Sequence, residues 1–126
     1  MDMSRRLQLD LSAPQQARSA LADLRESIGD EAVTMLCSIV TELVANCVQH
    51  GGTGGEVIVR ARRAGGRVRL EVSCPSGSTR PRIIEPGYRG GGSGGLGLRI
   101  VDGLAERWGV TDDGASTTVW ADVAAE

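Results

Sequence analysis

Apolar and polar residues alternate along "RLQLDLS" (6–12), the two-residue period of a strand with one covered face. The period then lengthens. Ser12 and Pro14 supply an N-cap and an early helical proline, and Ala17, Leu21, Leu24 and Ile28 follow at helical spacing as far as Gly29. Asp30 is placed to cap a second helix, "DEAVTMLCSIVTELVANCVQH", with acids in its first turn and Gly51 just past its end. At about 100° per residue, Val33, Leu36, Val40, Leu43, Val44 and Cys47 share one wide apolar face. Alternation returns in "EVIVRARR" (56–63) and "RVRLEVSC" (67–74), which flank "AGG" (64–66) and predict an antiparallel hairpin. Val57, Val59 and Ala61 join Val68, Leu70 and Val72 on one face, while Arg60, Arg62, Arg67 and Arg69 take the other. "PSGSTRPRIIEPGYRGGGSGG" (75–95) breaks both periods, and a connection of that length is usually a functional lid or a disordered segment. A helix, "LGLRIVDGLAERW", and two short strands in "WGVTDD" and "STTVWADV" close the pattern.

Strands with one apolar face need helices on that face alone. The expected fold is therefore α+β: a two-layer sandwich whose mixed, mostly antiparallel sheet carries helices on one side. The 126 residues suit a single domain, 1–126, with a lid loop at about 75–95 and no internal repeat. Composition changes this picture in three places. There is no Phe, so the core must be built from Val, Leu, Ile and Ala. A net charge of −2 with interspersed signs argues against direct nucleic-acid binding. No apolar run approaches the ~18 residues of a membrane span, and "MDMSRRLQLDLS" lacks the apolar core of a secretory signal. Three cysteines, an odd number, fit a reduced, cytoplasmic setting better than a disulfide framework.

Within the second helix, Glu42, Asn46 and His50 follow one another at four-residue steps and form a polar stripe along the border of the apolar face. Each has a plainer reading: Glu42 as a solvent-facing helix former, His50 as a C-terminal complement to the helix dipole. Asn46 is harder to dismiss, because Asn is a mediocre residue in mid-helix. "GGGSGGLGLRIV" opens a helix directly after a glycine run, where free backbone amides and the dipole make an anion site; its rival reading is a flexible loop. A Walker loop would need Gly-Lys-Ser/Thr, and a Rossmann fingerprint a preceding strand; neither occurs. Cys37, Cys47, His50 and Cys74 show no usual zinc spacing. The arginine face of the hairpin reads as solvated surface, or otherwise as a dock for an acidic partner.

A helix with Glu-x-x-x-Asn, a hairpin, a lid and then Gly-x-Gly at a helix start resembles the GHKL (Bergerat-fold, histidine-kinase-like) ATPases, and within them the bacterial anti-sigma-factor serine kinases. "ELVANCVQHG" is similar to the N box, "GGLGLRIVDGLAERWGV" to the G2 box and its helix, and "STTVWADV" to the closing strand. The resemblance implies the Bergerat ATP-binding fold and an ATP- and Mg²⁺-dependent protein serine kinase. Asn46 would hold Mg²⁺ and Glu42 would act as general base. Gly94, Gly95, Leu96, Gly97 and Leu98 would cradle the phosphates. Arg80, Arg82 and Arg89 would close over them, and Gly77, Thr117 and Thr118 would complete the nucleotide site. Cys74 stands where the family carries an adenine-binding aspartate. The implied partners are a sigma factor, which the protein would sequester, and an anti-anti-sigma antagonist, which it would phosphorylate; homodimerisation is also implied. The Cys74 departure opens an alternative, a nucleotide-poor module that acts only by binding a regulatory partner.

Overall fold

The structure, a computed structural model, describes residues 2–50, 55–75 and 95–125, without the side chains of 50 and 95–97. Strands β1 (Asp2–Gln8), β2 (Glu56–Ala64), β3 (Arg67–Pro75), β4 (Arg107–Asp112) and β5 (Ser116–Ala124) form one sheet in the order β1-β2-β3-β5-β4. All four pairings are antiparallel, so the expected mixed sheet is antiparallel throughout its described strands. Of the helices α1 (Ala13–Ala22), α2 (Arg25–Ile28), α3 (Asp30–His50) and α4 (Gly95–Leu104), α3 lies on β3 and β5, and α1 and α4 pack against it.

The alternation in the hairpin decides which sheet face is covered. Val57, Val59, Ala61, Val68, Leu70 and Val72 are buried, and Ala121 and Val123 of β5 extend that surface. Gly65, at φ +64°, supplies the left-handed step of the tight turn between β2 and β3, where an L side chain would be strained. On α3 the predicted apolar face is buried, and Ala32 and Ile39 widen it. Against the expectation that no apolar run approaches a membrane span, residues 30–49 of α3 are long and apolar enough to cross one, and their buried residues lie in the core.

Four local expectations need correction, the first being that α4 ends at Leu104 rather than Trp108, because Arg107 and Trp108 already pair with β5. β1 runs from Asp2 to Gln8 rather than over 6–12, because its pairing with β2 starts at Asp2↔Arg62 and ends at Gln8↔Glu56. Both apolar residues of β1, Met3 and Leu7, are buried, whereas Leu11 is 92% exposed. The alternation stops because the Asp10 carboxylate accepts the Ser12 amide (2.8 Å) and hydroxyl (2.5 Å), forming a turn and diverting Ser12 from capping α1 with its side chain. The single helix expected up to Gly29 is broken into α1 and the one-turn α2. Asp30 lies inside α3 rather than before it, and its carboxylate pairs with Arg25 at 2.9 Å.

The uncovered face of the sheet carries a charged row. Buried Asp122 accepts two hydrogen bonds from Arg69, at 2.7 and 3.0 Å, and one from Arg107 at 2.9 Å. Arg69 also stacks over Trp120, 4.2 Å from the ring centroid, and Trp120 lies against Gly109, where a Cβ would come within 2.8 Å of the ring. The hydrogen bond from Arg69, and then that from Arg107, hold the Asp122 carboxyl below its ordinary value of 3.8 against the opposing effect of burial. The folded state therefore binds this proton more weakly than the unfolded chain does. The stabilisation is complete above about pH 4 and is lost as the pH falls through and below that value. Asp122→Asn is expected to cost about 1.5–3 kcal/mol at neutral pH. It should also make the acid fall in Tm shallower, a comparison made by thermal unfolding of both proteins between about pH 2 and 7.

Candidate functional site

The polar stripe sits where its pattern places it. Glu42 and Asn46 are half-buried, between buried Leu43, Val44 and Cys47 and exposed Ser38 and Gln49. Four residues of helix separate them, about 6 Å along the axis. Helical sequence forms here because long apolar side chains can lie on the sheet on one side of α3 while the border positions keep access to solvent. The backbone of His50 ends α3, and its side chain is outside the described residues.

Two further elements that pack on α3 carry expected site residues. α4 starts at Gly95, and Leu98 and Val101, both buried, anchor it in the core. The amides of Gly95, Leu96, Gly97 and Leu98 belong to its first turn and have no acceptor within the helix. Gly77, Arg80, Arg82, Arg89 and Gly94 lie outside the described residues. The second element is the end of β3. Cys74 continues the covered face set by Val68, Leu70 and Val72, and it is disulfide-bonded to Cys47 of α3, with a Cα–Cα distance of 5.9 Å.

Cysteine spacing did not anticipate that these two sulfurs adjoin. The signal lay in the hydrophobic pattern rather than in cysteine spacing. Cys47 belongs to the apolar face of the helix, and Cys74 is in step with the inward residues of the strand, so both point into one core. Cys37, partly buried on α3, is free.

The two threonines separate. Thr117 is the register partner of Cys74, is buried, and donates its hydroxyl to the Asp112 carboxylate at 3.2 Å. Thr118 is on the opposite sheet face, its hydroxyl 2.7 Å from that of Ser73. The structure brings Thr117 to the side of Cys74 and α3, and leaves Thr118 away from it. Asp112, exposed at the end of β4, is a carboxylate the sequence pattern did not single out. Only the β4–β5 register places it beside Thr117.

The donor set can be judged by its chemistry. Mg²⁺ takes hard oxygen ligands, usually one or two from the protein with the rest from water and phosphate. The Asn46 amide oxygen on a half-buried helix face fits that role. Glu42, one turn away, offers a carboxylate that can accept a proton, and the first turn of α4 offers amides to phosphate oxygens.

A family model described as the histidine kinase-like ATPase domain matches residues 7–122. No curated protein matches the chain. Among solved structures, one described as the RsbU and RsbW domains of Rv1364c from Mycobacterium tuberculosis superposes with a TM-score of 0.73 at 20% sequence identity. The match covers 99% of this chain and 32% of that one, so this chain spans about a third of its length. At that identity the likeness establishes the shared fold.

Proposed function

The chain belongs to the histidine kinase-like ATPase domain family, and on that premise we propose that it is an ATP-dependent protein serine kinase that acts as an anti-sigma factor. It sequesters a sigma factor and phosphorylates a serine of an anti-anti-sigma antagonist, which prevents its own release. The observation that carries this reading is the half-buried Glu42–Asn46 pair on α3, the helix against which α4 packs. The fold likeness to a structure that includes an RsbW domain supports it.

In this reading the serine hydroxyl approaches the γ-phosphorus of ATP and Glu42 takes its proton. The phosphoryl group passes to the serine oxygen and ADP leaves. Mg²⁺, when bound through Asn46, neutralises phosphate charge. The amides of Gly95–Leu98 fix the phosphates in place, which is most of what phosphoryl transfer requires of a protein.

The test is calorimetric titration of Mg-ATP in reducing buffer, followed by transfer of labelled phosphate to an anti-anti-sigma protein. We expect binding by the natural protein, loss of at least about 10-fold in Asn46→Ala, since a contact to a charged group is worth about 1.5–3 kcal/mol, and label on a serine of the antagonist. The absence of binding would sink the kinase.

One observation favours a second reading. In the resemblance Cys74 stands where the family carries its adenine-binding carboxylate, and its sulfur faces Cys47 instead. A protein that binds no nucleotide until Cys74→Asp restores the contact would be a sequestering module with a lost purine site.

A further inference from the structure

We propose that Cys47 and Cys74 are a redox-modification site beneath the nucleotide pocket, whose dithiol form binds ATP more tightly than its disulfide form. The inference rests on the kinase reading above and adds a regulatory input to the same site.

The placement of the two sulfurs carries it. Cys47 follows Asn46 directly, and Cys74 is the register partner of Thr117. The bond therefore ties the helix that bears the proposed metal ligand to the strand that bears the proposed purine contact. Its 5.9 Å Cα–Cα distance falls in the range that a disulfide spans without backbone movement. In the disulfide, the Cys74 sulfur is directed to buried Cys47 and has no S–H to donate. As a thiol it can give or accept a hydrogen bond at the purine edge, and the end of β3 is no longer fixed to α3.

The third cysteine does not compete. Cys37 lies ten residues earlier on α3, about 15 Å along the axis. Its sulfur is 3.8 Å from the Arg18 carbonyl, and burial pushes its thiol above the ordinary value of 9.0.

The chemistry balances as two thiol–disulfide exchanges with a small-molecule disulfide. Cys74, the more exposed of the pair, loses its proton, attacks that disulfide and expels one thiolate. Cys47, deprotonated in turn, attacks the mixed disulfide and expels the second. Two electrons pass from the protein to the oxidant, which is recovered as two thiols; excess small thiol reverses both steps.

The test equilibrates the full chain with reduced or oxidised glutathione, maps the bond by intact mass and peptide alkylation, and titrates each form with Mg-ATP. We expect a single Cys47–Cys74 bond in the oxidised form and about 3- to 10-fold tighter ATP binding in the reduced form, the worth of one recovered hydrogen bond. Cys37→Ala should keep both the bond and the difference. A glutathione adduct in place of the internal bond, or no bond at all, overturns the proposal. Equal affinity in the two forms also overturns it and leaves the kinase reading intact. If neither form binds ATP, the kinase reading fails and the proposed coupling fails with it, whatever the mapping shows.

Discussion

Replacing Glu42 by glutamine is expected to lower serine phosphorylation by about 100- to 10,000-fold, the range for losing a general base, while ATP affinity changes by no more than a few-fold. Gln keeps the size and helix propensity of Glu and gives up only the capacity to take a proton. The separation of the two effects is what makes the variant informative. Single-turnover transfer of labelled phosphate reads the chemical step, and calorimetry reads binding. If transfer is unchanged, Glu42 is the solvent-facing helix former of its plainer reading. If binding and transfer fall together, Glu42 holds the nucleotide rather than activating the serine, and the base must be sought among other carboxylates.

Leu36→Ala is expected to destabilise the fold by about 2–5 kcal/mol, the usual cost of truncating a buried leucine. Leu36 is fully buried on α3, the helix that also carries Glu42 and Asn46. For a domain of this size each kcal/mol lowers Tm by roughly 3–5 °C, and the loss is a large share of the 5–15 kcal/mol that holds a typical protein folded, to order of magnitude. Urea unfolding of both proteins checks it through a lower midpoint at an unchanged slope. A cost below about 1 kcal/mol would mean that the space under α3 collapses freely. The packing that fixes the Glu42–Asn46 border would then be looser than the burial implies.

Several features were determined by the sequence alone. The hairpin of β2 and β3, the helix α3 with its half-buried polar border and the start of α4 after the glycines all follow from local rules. Side-chain period, turn residues and helix-end chemistry act over a few residues, and in these segments they agree with one another. The family resemblance rested on such segments, and the match over residues 7–122 agrees with it. Other features were decided only by tertiary structure. The length of β1 was set by the run of β2 available for pairing, against its own alternation. The strand register placed Thr117 beside Cys74 and Asp112 and turned Thr118 away, because a one-residue step in a strand changes its face. Asp122 became the anchor for Arg69 and Arg107 only because three strands brought the carboxylate to both guanidinium groups. The Cys47–Cys74 bond joins residues 27 positions apart on a helix and a strand. Sequence periodicity aimed both sulfurs at the core, but only the packing of α3 on β3 made them neighbours.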